Sequence, residues 1–208
     1  MTPARKTTTT KSSASKTKTP AKKTTAPKTT RAPKRKVLLT SKDVKARIEE
    51  LAARIQDEFR YPEALLLIGI RTRGVFLAER LKALLDLKYG QEVPTGVLDI
   101  TFYRDDLSRL GPNPMVRGSE LPFDIHDANI ILVDDVLYTG RTIRAALDEL
   151  ADFGRPAFVR LAIMVDRGLR EYPIQPDYCG LKISTTPEQH VVVMLEETDD
   201  EDKVVLEG

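Results

Sequence analysis

IILVDDVLYTGRT, running from Ile130 to Thr142, sets four apolar residues ahead of two adjacent carboxylates and then a Thr-Gly-Arg-Thr turn. An apolar run of that length reads as a buried strand. A pair of like charges is an unusual end for one. In open α/β sheets, ligands bind at the carboxyl ends of strands, where the next turn enters a helix. The first N–H groups of such a helix are unpaired, and its dipole presents a positive end. Gly140 lets the backbone approach closely, and Thr139 and Thr142 add hydroxyl donors. Those features suit a phosphate. Asp134 and Asp135 repel a phosphate; they are acceptors, suited to a vicinal diol or to water on a magnesium ion. A 5-phosphorylated ribose meets both demands at once.

Outward from that stretch, strand and helix patterns alternate. Thr40 and Asp43 make a capping-box-like pair, and Val44, Ile48, Leu51, Ala52, Ile55 and Phe59 recur at helical spacing. ALLLIGI (64–70) reads as a strand buried on both faces, and Val75 to about Lys88 as a second helix, apolar at Leu77, Leu81, Leu84 and Leu85. VLDITFY (97–103) reads as a strand. A helix spans Arg141 to Phe153, stopped by Gly154 and Pro156, and FVRLAIMV (158–165) is the next strand. Shorter strands fall at CGLKI (179–183) and VVVML (191–195). The alternation predicts an α/β fold with a parallel sheet flanked by helices. Some 25 residues between Tyr103 and Asn129, with Gly111, Pro112, Pro114 and Gly118, predict a long loop of the kind that often acts as a lid.

The formal charge of +2 hides an asymmetry. Residues 1 to 36 hold twelve Lys and Arg and no acid, leaving 21 basic against 31 acidic residues, about −10, over residues 37 to 208. The first 36 residues are Thr, Lys, Ala, Pro and Ser with almost nothing to bury, so they read as a disordered tail ahead of one domain at 37–208. A transit peptide is the rival reading; the lack of an apolar face and the excess of Lys over Arg weigh against it. A solvated or polyanion-touching tail fits better. No apolar span or signal peptide points to a membrane, and the expected location is cytoplasmic. A single cysteine, Cys179, excludes an intramolecular disulfide and a multi-Cys zinc site, and His126 and His190 stand too far apart for a His-based one.

Rival motifs fail. No GxGxxG occurs, and GIRTRGVF (69–76) continues with Val75 and Phe76 where a Walker A loop needs Lys and Ser or Thr. Receiver domains carry an acidic pair on their first strand and a later Lys-Pro; here the pair comes late and no Lys-Pro follows.

The acidic pair and its turn resemble the phosphoribosyl-diphosphate (PRPP) motif of type I phosphoribosyltransferases. More narrowly, LIGIRTRGVFLAERL (67–81), DITFYRDDLS (99–108), VDDVLYTGRTIRAAL (133–147), GRPAFVRLA (154–162) and VDRGLREYPIQPDYCG (165–180) resemble, in order, the PyrR family of pyrimidine-operon regulators and uracil phosphoribosyltransferases. The likeness covers about residues 37 to 208. It implies a type I phosphoribosyltransferase-like parallel sheet with a small hood. It also implies attack of uracil on PRPP, releasing diphosphate and giving UMP, with magnesium as cofactor. Asp134 and Asp135 would hold the ribose hydroxyls, and through them or water the metal. Val136, Leu137 and Tyr138 lead into Thr139, Gly140, Arg141 and Thr142, which would hold the 5-phosphate. Arg71, Thr72, Arg73 and Gly74 would form the pyrophosphate turn. The loop from Arg104 to Gly118 would be the catalytic loop, with Arg104 at the reaction, and Asp166 and Arg167 would meet the base. A purine-using transferase on the same fold stays open as an alternative.

The resemblance further implies binding of pyrimidine-operon mRNA, tightened by uridine nucleotides, and a homo-oligomer. Where the family's RNA face uses polar or basic residues, this chain has Glu49, Glu50, Ala53 and Gln175, with only Arg170 kept. Acids facing phosphates oppose RNA affinity. An RNA-binding attenuator whose site serves mainly as a nucleotide sensor is therefore a second reading. Ser184 stands where the family leads one to expect Pro.

Overall fold

The structure is a computed structural model, described over residues 35–62, 65–105 and 118–208. Its centre is a parallel sheet of five strands: β2 (Leu65–Ile70), β3 (Thr95–Leu98), β4 (Asn129–Leu137), β5 (Phe158–Asp166) and β6 (Tyr178–Lys182), in the order β3-β2-β4-β5-β6. Every residue of β2 is buried, as a strand covered on both faces must be. Its side chains alternate between two cores. Leu65 and Leu67, with Ile131 and Val133 of β4, pack on α1 (Ser41–Glu58) and α2 (Arg73–Tyr89). Leu66 and Ile68, with Ile130 and Leu132, pack on α3 (Arg141–Phe153).

The local signals explain the elements. At the start of α1, the Asp43 carboxylate accepts from the Thr40 N–H at 2.9 Å and from its hydroxyl at 2.6 Å. The helix then buries Val44, Ile48, Leu51, Ala52 and Ile55. Arg141–Phe153 is helical as its pattern predicts, and Gly154 ends it.

Two readings need correction. VLDITFY is not one strand: β3 ends at Leu98, and Asp99 caps a 3-10 turn, Ile100–Tyr103, by accepting from the Thr101 N–H at 3.2 Å. An Asp side chain able to bond the backbone two residues on offers the chain an alternative to the ladder. Second, β1 (Arg35–Leu39) and β8 (Lys203–Glu207) were not foreseen. With β7 (His190–Met194) they form a separate antiparallel sheet, β1-β8-β7, whose Arg35 and Glu207 pair in register and by an ion pair of 2.7 Å. Arg35 and Lys36, counted with the basic tail, are thus strand residues. Residues 1–34 lie outside the described residues. A one-turn helix, α4 (Glu196–Asp199), links β7 to β8.

Among the described residues, no helix is long and apolar enough to cross a membrane.

Candidate active site

The strand β4 does not stop at the acidic pair but runs through it, keeping register with β5 at Asp134–Ile163, Val136–Val165 and Leu137–Asp166. Asp134 is buried and Asp135 half-buried. Each turns one carboxylate oxygen back on the chain: Asp134 accepts from the Asp135 N–H at 2.9 Å, and Asp135 from the Val136 N–H at 2.8 Å. Burial raises both acids above the ordinary aspartate range, and the neighbouring Asp135 charge pushes Asp134 further. For Asp135 the Val136 N–H and the Arg73 guanidinium pull the other way. Such a pair gains from a ligand that donates hydroxyls or brings a cation. No three His, Cys, Asp or Glu side chains gather as a metal cage among the described residues. A cation here would therefore take carboxylate contacts from this pair and fill its shell from ligand oxygens and water, the habit of magnesium.

Beyond the pair, Gly140 adopts φ +92° immediately before α3. A Cβ there would also lie 3.1 Å from the Tyr172 Cβ. Only glycine satisfies both the backbone and the space. Thr139 accepts through its carbonyl from the Glu171 and Tyr172 N–H groups at 2.9 and 3.0 Å, so the hood segment after β5 closes against the cradle. A cavity of about 290 Å³ opens here, lined by Arg104, Asp105, Tyr138, Thr139, Arg141 and Thr142. The Arg141 side chain is engaged by Glu171 at 2.5 Å and by Asp105, and its backbone N–H, at the start of α3, donates to the Thr139 hydroxyl at 3.4 Å. Arg104 lines the cavity; residues 106–117 of the long loop lie outside the described residues.

The turn after β2 differs from its reading in one respect. Arg73 and Gly74 are the first residues of α2, so only Arg71 and Thr72 form the turn, joined by a cis peptide. The Arg71 N–H donates to Leu98 O at 2.9 Å, and its guanidinium faces Gly118 O and Glu120 at 3.4 and 3.5 Å. The Arg73 guanidinium grips Asp199 of α4, with Nη2 2.9 Å from Oδ1 and Nε 3.3 Å from Oδ2.

The hood arginines face inward. Arg167 is buried, lies 4.0 Å over the Tyr138 ring, and donates to Thr185 Oγ1 at 3.0 Å and Thr186 O at 2.9 Å. Asp166, only 2% exposed, accepts from the Gly168 N–H at 3.0 Å and from Arg170 at 2.6 Å. Arg170 also donates to Tyr138 O at 2.7 Å and Ile174 O at 2.9 Å. Its guanidinium ties together the segment after β5 and the end of β4. In this geometry Asp166, Arg167 and Arg170 hold the segment after β5 against Tyr138. Glu49, Glu50 and Gln175 are exposed, and Glu50 pairs with Arg47 at 2.7 Å.

Sequence reasoning did not find Asp199, Tyr172, Thr185 or Thr186. Asp199 lies in the acidic run EETDDED (196–202), which signals charge without saying which member meets an arginine 126 residues earlier.

Residues 35–198 match the phosphoribosyl transferase domain family. The chain is 48% identical to the bifunctional protein PyrR of Syntrophobacter fumaroxidans over 172 residues, covering 83% of this chain and 92% of that protein. It is 50% identical to the PyrR of Deinococcus deserti over 175 residues, covering 84% and 95%. Among solved structures, a Trypanosoma cruzi hypoxanthine phosphoribosyltransferase superposes with a TM-score of 0.65 at 21% identity, covering 88% of this chain and 95% of that one. A hypoxanthine-guanine phosphoribosyltransferase of Bacillus anthracis does so with a TM-score of 0.64 at 17% identity, covering 83% and 98%. At those identities the likeness is one of fold, and the purine bases in those names carry nothing over.

Proposed function

We propose, since the chain belongs to the phosphoribosyl transferase domain family and within it to the PyrR bifunctional proteins, that it joins uracil to the ribose of PRPP and regulates pyrimidine genes through mRNA. The observation that carries the transferase reading is the juxtaposition at the end of β4: a buried acidic pair whose carboxyls are pushed up by burial, beside an anion cradle that opens at Gly140. Ribose hydroxyls would meet Asp134 and Asp135, the 5-phosphate the N–H groups and hydroxyls of Thr139 to Thr142, and the diphosphate the turn at Arg71 and Thr72 with Arg73. Uracil N1 attacks the anomeric carbon as the bond to diphosphate breaks. The N1 proton leaves late, to the departing diphosphate or to water, so no side chain need take it early, and the departing group carries the developing charge beside the cationic side chains of Arg71 and Arg73. Magnesium, when bound, supplies Lewis-acid stabilisation of that charge. The hood, held on the cradle through Thr139, keeps water from the activated sugar. A cytoplasmic setting and a homo-oligomer belong to the same proposal.

Incubating the protein with PRPP, magnesium and each of uracil, hypoxanthine and guanine tests the reading. Uracil alone is expected to yield nucleotide. Turnover of a purine, or of no base in protein that still binds UMP, would overturn it.

Regulation makes a separate prediction. Leader RNA titrated with and without UMP, in the chain lacking residues 1–34, is expected to bind more tightly with the nucleotide. Binding that disappears with the Lys-rich segment, or in moderate salt, would be counterion release alone and would remove the regulatory half of the proposal.

A further inference from the structure

Arg73 and Arg80 stand seven positions apart on α2 and so point the same way. Both meet the segment that links β7 to β8. Arg80 is paired with Glu197 and Asp202, each at 2.7 Å, and Arg73 with Asp199 at 2.9 Å. The two pairs have different surroundings. The Arg73 charge reaches Asp135, whereas Arg80, two turns further along α2, is held between two carboxylates.

The Arg73–Asp199 contact is one-sided. Asp199 takes the edge of the guanidinium formed by Nε and Nη2; Nη1 has no partner among the described residues. Asp199 is itself fixed, accepting from the Leu195 N–H at 3.1 Å and from the Thr198 hydroxyl at 2.6 Å. Burial opposes its ionisation, but these bonds and the Arg73 fork outweigh it and hold its carboxyl down to about 2. The guanidinium is therefore anchored along one edge and presents the other, at the first turn of α2, beside the turn at Arg71 and Thr72. An anion can add to the outer edge without displacing the carboxylate. A planar fork held this way loses little freedom when it binds.

We propose that Asp199 is a positioning residue for the transfer reaction, holding Arg73 so that its outer edge meets the diphosphate of PRPP. This rests on the phosphoribosyltransferase reading above. UMP supplies the discriminating control, since it fills the cradle at Thr139–Thr142 and has no diphosphate to present to Arg73.

The test compares binding of inorganic pyrophosphate and of UMP, by calorimetry on the full chain, in wild type and Asp199→Asn, with the KM for PRPP read alongside. Wild type that binds UMP but neither pyrophosphate nor PRPP would instead bring down the transferase reading, and this inference with it. Asn keeps the shape and loses the charge. The variant is expected to weaken pyrophosphate and raise the PRPP KM about tenfold, the loss of one charge-assisted hydrogen bond, with UMP within about twofold. Asp199→Glu, which keeps the charge, is expected to recover part of that loss. Asp202→Asn, which takes from Arg80 one of its two carboxylates in the same segment and leaves Glu197, is expected to leave the ratio of pyrophosphate to UMP affinity unchanged. Equal shifts for the two ligands, no shift, or the same selective loss in Asp202→Asn would each overturn the proposal. Should Asp199→Asn fail to fold, the ratio is read in Asp199→Glu, where a selective threefold loss supports the proposal and parallel shifts overturn it.

Discussion

Replacing Asp134 and Asp135 together by Asn is expected to reduce UMP formation by at least about a thousandfold while making the apoprotein more heat-stable near neutral pH. The two effects share one cause. Asn retains an oxygen able to accept from the Asp135 and Val136 N–H groups, so the strand end keeps its hydrogen bonds. What disappears is charge. Burial raises both carboxyls, Asp134 further through the charge of Asp135. An acid whose folded value is raised contributes stability in full below its unfolded value of 3.8, and that contribution is lost as pH rises through the folded value. The wild type loses it as pH rises through the folded value, and the variant has nothing to lose. The gain in Tm, about 3 °C for each kcal/mol relieved in a chain of this size, therefore grows as pH rises. It shrinks to nothing as pH falls toward 3.8. Thermal melts from pH 4 to 8 without PRPP or magnesium, beside initial rates at pH 7.5, check both halves. A variant that is inactive but less stable at pH 7 would show that the loss came from a collapsed cradle.

The sequence was informative where a pattern is local and strong. The apolar run at 130–133, the glycine at 140 and the helical spacing after it belong to one continuous stretch, so strand, turn and helix could be read together. The capping pair Thr40 and Asp43 acts over three residues and was legible for the same reason. β1 and β8 were not, because RKVLL and KVVLE each offer three apolar residues among charges and are strands only because they pair with each other. The roles of the arginines were least legible. Arg167 and Arg170 have the composition of ligand contacts, but their partners are mainly hydroxyls and carbonyls at Thr185, Thr186, Tyr138 and Ile174, which only the fold brings near. A sequence gives the donor type. The edge a guanidinium turns outward depends on residues distant in sequence, as with the Asp199 carboxylate that takes one edge of Arg73.

Gly74→Ala is expected to be strongly destabilising for the addition of a single methyl group. A Cβ at Gly74 would lie 2.4 Å from the Val133 carbonyl oxygen and 3.2 Å from the Asp134 Cα. Both are backbone atoms of a central strand held on two sides by β2 and β5, so no rotamer change can yield space. The first turn of α2 must lift from β4 instead. Overpacking of this kind costs about 3 kcal/mol, the upper end of its usual range, and in a chain of this size lowers Tm by about 10 °C. The displaced turn carries Arg73, whose charge reaches Asp135, so diphosphate recognition is lost at temperatures where the variant is still folded. Leu87→Ala on the same helix is the comparison. Leu87 is 83% exposed, and its truncation is expected to stay within about 0.5 kcal/mol. Melting curves for the three proteins, with the PRPP KM measured at 20 °C, decide the matter. Gly74→Ala melting beside Leu87→Ala with an unchanged KM would mean that helix and strand have slack between them. The close approach of α2 to β4 at Gly74 would then not be what sets the position of Arg73.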